Sequence, residues 1–430
     1  MPVTPYTRTP IPPTVALLTP AGEVVDEHGD RLNLDTLPTQ TRVWCSYDTA
    51  HRLVTDGVGE TLCWNGEPVR WRHRRFEDGW TRRASDVAVI RAPFYDDSPE
   101  RTLAALARWR DWLARNGAGC PGTSGAAAWS LLRASLTKPL WLSLGDCPPL
   151  KSTLGGRQAL GPAGQGSFRG RIEQWDLPAA YASELGHLRY GGRWHNSRDL
   201  PWRLSGLDVV HAPRDPAWWA QQGRPVFVRA IVNVPRTLSY GPLPRRPRGR
   251  SQAAKVLTMQ LGAEYPSGRI QGVWTWQEIE AAIAAGCKLL KVLDCWVHLS
   301  AAQPFLPWWE TVQEGRRMKG LAGLLAKMTG NALWGRFCMD VTTNGVRTVQ
   351  SRNGKMTMRE LPHKGGPPAA HDLAETVSGR IRARLYGAML EAGENLLSAH
   401  TDGIWIKGGR NVSTQETAAR DGGKKLAVGA

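Results

Sequence analysis

Apolar positions recur along this chain with two periods, and the change from one to the other marks out its elements. Over 396–406 two short apolar runs flank a polar turn, and Ile404 and Ile406 alternate with Trp405. That period of two predicts a half-buried hairpin with Asp402 at its tip and Gly403 supplying the turn chemistry. Residues 43–48, 170–176, 222–237 and 288–299 read as further strands, and 60–92 and 340–360 as short strands and turns. A period near 3.6 takes over after Ser98, where Leu103, Leu106, Trp109 and Leu113 make one stripe. Ser98 as N-cap, Pro99 and Glu100 open that helix, and Asn116-Gly117 closes it. A second helix is expected over 124–136, with Trp129, Leu132 and Leu136 on one face.

Further on, Thr275-Trp-Gln-Glu278 forms a capping box ahead of a helix over 278–285 that stops at Gly286. One long helical region is expected over 305–335, carrying Arg316, Arg317, Lys319 and Lys327, and another helix over 373–394. The Pro- and Gly-rich stretch 147–170 reads as the main domain junction. Residues 1–40 read as a loosely ordered lead-in, and the tail from Gly408 as short and polar.

Composition narrows the class. The chain has 430 residues, 55 Lys+Arg against 38 Asp+Glu and a formal charge of +17, which points to a polyanionic partner such as nucleic acid. No uninterrupted apolar stretch is long enough to span a bilayer, and no secretory signal opens the chain. The seven cysteines are widely spaced without Cys-x-x-Cys, which argues against a disulfide framework or zinc site and for a reducing, cytoplasmic location.

Two aspartates, Asp176 and Asp402, stand at predicted strand ends on either side of a largely helical insertion. Carboxylates on adjacent strand ends can hold two divalent ions for phosphoryl displacement, and Mg²⁺ suits a site with few protein ligands. Taken alone, Asp-Gly is ordinarily just a hairpin turn, and Lys-x-x-x-Asn on a helix is ordinarily a solvated face.

Four segments in order resemble the family B DNA polymerases, especially the compact, protein-primed phage replicases. Asp176-Leu-Pro-Ala-Ala-Tyr-Ala-Ser183 is similar to the family's Asp-x-x-Ser-Leu-Tyr-Pro-Ser. Lys327-Met-Thr-Gly-Asn-Ala-Leu-Trp-Gly335 is similar to Lys-x-x-x-Asn-Ser-x-Tyr-Gly, with Trp334 at the tyrosine. Thr376-Val-Ser-Gly-Arg380 matches Thr-x-x-Gly-Arg, and His400-Thr-Asp402 is similar to Asp-Thr-Asp. The resemblance covers about residues 150–407. It implies metal-binding carboxylates at Asp176 and Asp402, with two Mg²⁺ that Mn²⁺ can replace. It implies nucleotide contacts at Lys327, Asn331, Tyr181 and Trp334, with Arg316 and Lys319 beside them, and Tyr181 as the group that excludes a 2′-hydroxyl. It implies DNA contacts at Thr376, Arg380 and Gly335.

The chain also departs from that pattern. His400 replaces the first aspartate of the hairpin motif, Ala180 and Ala332 replace serines, and Thr153 stands where a tyrosine precedes Gly155-Gly156. Asp48-Thr-Ala50 lacks the glutamate of an exonuclease motif, and few residues follow Asp402.

The expected fold is α+β: a polymerase palm with an antiparallel sheet, a helical fingers insertion and a small N-terminal α/β domain. The expected division is 1–146 degenerate exonuclease-like remnant, 147–304 first palm part, 305–340 fingers, 341–407 second palm part and 408–430 truncated thumb. The expected activity is template-directed DNA synthesis without proofreading. The expected partners are primer–template DNA, deoxynucleoside triphosphates and a terminal or other replication protein, with no membrane. The competing reading is a polymerase-like DNA-binding subunit that no longer polymerises. A metal-dependent nuclease is a third reading, but it leaves Lys327 and Tyr181 unexplained.

Overall fold

The computed structural model describes residues 2–5, 14–19, 23–32, 42–45, 63–64, 67–68, 81–84, 87–91, 98–119, 124–143, 147–150, 156–164, 170–196, 216–246, 263–300, 302–338, 346–352, 355–361, 370–408 and 426–428. Asp48, Ala50, Thr153, Gly155 and most of the basic run after Arg246 lie outside them. The chain divides into two compact units, residues 1–140 with 307–369 and residues 141–306 with 370–430.

In the first unit, Val15–Leu18 and Arg42–Cys45 run parallel at the centre of a six-stranded sheet, and Val87–Arg91 pairs parallel beyond them. Val15–Leu18 is buried throughout, as expected of an apolar central strand. The helix Pro99–Arg115 starts and stops where its caps require. Ser98 Oγ accepts from the Arg101 amide at 3.3 Å, and Gly117 takes a φ of +71° just past the last turn. Its stripe is buried, and Trp109 stands edge-on to Trp44 at 5.9 Å.

The helical stretch expected over 305–335 is two helices, Leu306–Arg316 and Leu321–Cys338. Gly320 breaks it with a φ of +67°, which a continuous helix cannot contain. Helix Leu321–Cys338 packs on Pro99–Arg115 and Ser124–Ser135, and Trp109 Nε1 donates to Thr329 Oγ1 at 3.2 Å. Val346–Arg352 and Lys355–Leu361 form a separate antiparallel hairpin.

Among its described residues the second unit holds two sheets, both antiparallel. One runs in the order Arg157–Leu160, Leu396–Thr401, Gly403–Lys407, Ile172–Asp176, Leu426–Val428. Two of these strands correct the sequence reading. The stretch taken for a junction contains Arg157–Leu160, and the tail taken for polar contributes Leu426–Val428. The other sheet runs Trp194–Asn196, Lys288–His298, Val226–Val234, Gly268–Thr275.

Helix His371–Ala392 joins the parts of this unit. Leu385, Met389 and Ala392 pack on Leu396, Ala399, Ile404 and Ile406 of the first sheet. Further up, Gly379 meets the helix Trp276–Ala284 at its capping box. A Cβ on Gly379 would lie 2.8 Å from Glu278 Oε2, so only glycine permits that approach. Both halves of the box form: Thr275 Oγ1 accepts from the Glu278 amide, and Glu278 Oε2 accepts from the Thr275 amide at 3.0 Å.

Candidate functional site

Asp176 and Asp402 meet at one end of the first sheet. The strands Ile172–Asp176 and Gly403–Lys407 are antiparallel, in a register that pairs Asp176 with Gly403. Asp402 is the next residue, at the tip of the hairpin, and its carbonyl accepts from the Leu177 amide at 2.9 Å. The chain therefore crosses from one aspartate to the other through a single backbone hydrogen bond. Asp176 is exposed and Asp402 half-buried.

Gly403 is essential to this arrangement for a reason other than the turn. The residue in the left-handed region is Thr401, with φ +53°, not Gly403. A Cβ on Gly403 would instead fall against Asp176 Oδ1. The glycine leaves the Asp176 carboxylate room over the neighbouring strand. Thr401 carries the strain of the turn, because a β-branched residue is costly at positive φ. Its hydroxyl donates to Asp402 Oδ1 at 2.8 Å and fixes that carboxylate.

Tyr181 lies on the short helix Ala180–Gly186 that follows Asp176, and it is buried. Ala179, at the start of this helix, is also left-handed, with φ +50°. A Cβ built on Gly156 would stand 2.8 Å from both the Tyr181 hydroxyl and Thr401 Cα. Gly156 thus brings the Tyr181 hydroxyl and the hairpin into contact range of one strand end. This end of the sheet assembles Gly156, Asp176, Tyr181, Thr401, Asp402 and Gly403.

His400 is exposed, pairs with Gly403 across the hairpin and sets its ring edge-on to Trp405 at 6.3 Å. Among the described residues no group of three or more His, Cys, Asp or Glu gathers as a metal site. The pair Asp176 and Asp402 remains. Two carboxylates on adjacent strand ends, one with cleared space beside it, fit a Mg²⁺ that completes its shell with phosphate oxygens and water.

Thr376 and Arg380 lie on helix His371–Ala392 in the same unit. Thr376 is buried, and its hydroxyl donates to the Asp372 carbonyl at 2.7 Å. Arg380 is largely buried, with Nη1 3.8 Å from Glu184 of the Tyr181 helix. Burial lowers its pKa and Glu184 partly offsets this. Arg384 Nη1 donates to the same Glu184 at 2.7 Å. The Tyr181 helix is thus clamped to the Arg380 helix.

Lys327, Asn331, Trp334 and Gly335 belong to the first unit. They share one face of Leu321–Cys338, opposite the buried face of Leu325, Ala326, Thr329 and Leu333. Lys327 is exposed and the other three half-buried. Arg316 stacks over the Trp309 ring at 5.9 Å, and Lys319 is exposed in the break before the helix.

Sequence reading missed three buried groups in the same unit. Arg157 is fully buried between the rings of Tyr265 at 4.0 Å and Tyr386 at 4.9 Å, and Nη2 donates to the Gly241 carbonyl. Its only sequence signal, Gly-Gly-Arg, sat in a stretch read as a junction. Arg382 is enclosed with Glu278 and Glu375. Burial alone would lower its pKa, but the two carboxylates outweigh that and raise it. Asp372 accepts from Tyr190 at 2.5 Å, from Trp194 Nε1 at 2.6 Å and from Ser143.

The α+β fold, with antiparallel sheets in its second unit, is DNA polymerase-like by its similarity to solved structures. The particular likeness is to phi29 DNA polymerase, and it is a likeness of fold. The ternary complex with primer-template DNA and incoming nucleotide matches at TM-score 0.55 and 12% identity, covering 94% of this chain and 82% of that one. The post-translocation binary complex matches at 0.55 and 13%, covering 93% and 81%. The complex with single-stranded DNA matches at 0.55 and 12%, covering 94% and 82%. No protein-family model and no curated protein matches the chain in sequence.

Proposed function

We propose that this chain is a template-directed DNA polymerase that adds deoxynucleotides to a 3′-hydroxyl. The observation that carries the reading is the Asp176–Asp402 pair, set side by side by strand register with Gly403 clearing room for one carboxylate. The phi29 polymerase structures contain primer-template DNA and nucleotide, which supports the same ligands here.

In this reading the second unit acts as palm and the helix Leu321–Cys338 as fingers. The N-terminal region is an exonuclease-like remnant without proofreading. Asp176 and Asp402 would hold two divalent ions, which when bound neutralise the triphosphate and lower the pKa of the attacking hydroxyl. Thr401 keeps the Asp402 carboxylate oriented toward that position. The resemblance assigns the triphosphate to Lys327, with Arg316 and Lys319 as further cations, and the nascent base pair to Asn331 and Trp334.

The ring of Tyr181 lies beneath the incoming sugar and leaves no room for a 2′-hydroxyl. The resemblance assigns the DNA backbone to Arg380, Gly335 and Thr376; in this chain Arg380 is largely buried beside Glu184, and Thr376 is buried. In the reaction the primer 3′-oxygen forms a bond to the α-phosphorus and loses its proton. The bond from that phosphorus to the bridging oxygen breaks, and pyrophosphate leaves. A terminal or other replication protein would supply or present the primer. Among the described residues no helix is long and apolar enough to cross a membrane.

The test is extension of a labelled primer–template with Mg²⁺ or Mn²⁺ and four deoxynucleotides, beside Asp402→Asn. Template-dependent extension lost in Asp402→Asn supports the polymerase. Folded protein that binds DNA without extending it would leave a non-polymerising binding subunit, the role His400 would suit.

A further inference from the structure

Away from the aspartate pair, the second unit gathers cations around the end of strand Lys288–His298. The His298 amide donates to the Pro225 carbonyl at 3.0 Å, and the Leu299 amide donates to the Arg193 carbonyl at 3.3 Å. These two bonds bring the loop before strand Trp194–Asn196 and the loop before strand Val226–Val234 to opposite sides of one strand end. Arg189, Arg193 and His195 come from the first loop and its strand, and Arg224 from the second.

Arg224 is held in place by its backbone. Gly223 takes a φ of +72° past the helix Pro216–Gln221, and the Arg224 amide donates to the Trp219 carbonyl at 3.2 Å. Arg189 Nη1 caps the same helix end by donating to the Gln222 carbonyl at 2.9 Å. A Cβ on Gly223 would lie 3.6 Å from Arg189 Nε, so the Arg189 side chain passes directly beside Arg224's neighbour.

No carboxylate answers this charge among the described residues. Arg193 and Arg224 have no ion-pair partner there, and Arg189 has only the carbonyl. Nε and Nη1 of Arg224 are buried without a hydrogen bond. A guanidinium already stripped of water on one side and unmatched by a counter-charge is costly, and an arriving anion relieves that cost. Burial lowers the Arg224 pKa and Arg189 lowers it further; burial and then Arg193 lower that of His195. The groups repel one another and are held together by the fold.

We propose that Arg189, Arg193 and Arg224, with His195 beside them, form a site for the phosphodiester backbone of a nucleic-acid strand, separate from the aspartate pair. Planar guanidinium forks match phosphate oxygens, and the chain's excess of basic residues draws such a strand in. The contact is to backbone and carries no sequence preference of its own.

The test is fluorescence anisotropy of a labelled single-stranded DNA oligonucleotide on the full chain, in EDTA and without nucleotide, over a salt series. It therefore reads the cluster whether or not the chain polymerises. Arg193 is exposed, so Arg193→Glu and Arg193→Gln should leave the fold intact, as checked by thermal unfolding. Arg236→Glu is the control, at the opposite end of strand Val226–Val234 and also exposed.

Arg193→Glu is expected to weaken binding about tenfold and to reduce the salt slope by about 1, Arg193→Gln to reduce the slope by the same amount, and Arg236→Glu to leave it unchanged. Equal effects of Arg193→Glu and Arg236→Glu would mean diffuse attraction and overturn the site. So would an unchanged slope in the folded Arg193 variants. Inorganic tripolyphosphate is the competing probe. If it binds the wild-type chain and fails on Arg193→Glu while DNA binding is unaffected, the site serves a small polyphosphate and the proposal fails.

Discussion

Thr401 and Gly403 divide between them the work that an Asp-Gly turn usually gives to its glycine. Thr401 holds the left-handed φ and orients Asp402, while Gly403 keeps the space beside Asp176 open. Gly403→Ala is therefore expected to cut the rate of primer extension about a hundredfold by displacing the Asp176 carboxylate, with a much smaller change in thermal unfolding. Retained activity would show that the carboxylate tolerates the added methyl. Ala179 makes the complementary case. Its φ of +50° is strained for alanine, and its side chain is given no role in the proposed chemistry. Ala179→Gly is expected to stabilise the chain by about 1 kcal/mol in urea unfolding, since glycine takes that conformation freely.

At the scale of elements, helix His371–Ala392 is held by buried polar groups at two points. Near its middle, Arg382 lies between Glu375 and Glu278, and Glu278 also closes the capping box of the next helix. Arg382→Met leaves two buried carboxylates facing each other. It should cost about 3–5 kcal/mol in chemical unfolding, against about 1 kcal/mol for losing the cap in Thr275→Ala.

At its first turn, Asp372 receives Tyr190 and Trp194, and His298 stacks on Tyr190 at 4.4 Å. Burial is the main reason the His298 pKa falls from 6.5 to about 4; Asp372 opposes it and Arg224 and His195 reinforce it. Because the folded pKa lies below the unfolded one, the unfolded chain binds more protons between these values. The stability from a neutral His298 is present above pH 6.5 and is lost as pH falls toward 4, by up to about 3 kcal/mol. His298→Gln should flatten that part of the stability profile; a slope unchanged by the substitution would assign it to other groups.

For the whole molecule, charge is the dominant property. An excess of +17 makes DNA binding release many counterions. If about six phosphates are engaged, affinity should fall about a thousandfold between roughly 50 and 200 mM salt, measured by anisotropy. A flat salt response would mean that the excess charge is spread over surfaces that never meet nucleic acid. This whole-chain response and the local effect of Arg193→Glu are independent readings, because one sums all contacts and the other isolates one.

The sequence by itself determined the elements whose signals are local. Caps at Ser98 and Thr275, the stripe from Leu103 to Leu113 and the alternation through Trp405 each depend on neighbours in the chain. It also singled out Asp176, Tyr181 and Asp402, and tertiary structure brought these three to one sheet end through the register Asp176 with Gly403. The break at Gly320 sits in the polar run Glu314-Gly-Arg-Arg-Met-Lys-Gly320 and was missed because the cations on both sides of it read as one basic helix. Arg157–Leu160 was hidden by its Pro- and Gly-rich surroundings, and Leu426–Val428 by its polar ones. A short strand gains its stability from the partner that receives its hydrogen bonds, and that partner is distant in sequence. Arg157, Asp372 and Arg382 gave no local signal, since each has a partner between 84 and 229 residues away. Local signals suffice where one stretch of chain supplies both sides of an interaction; only the fold can say which buried charge meets which, and which cations are left unanswered.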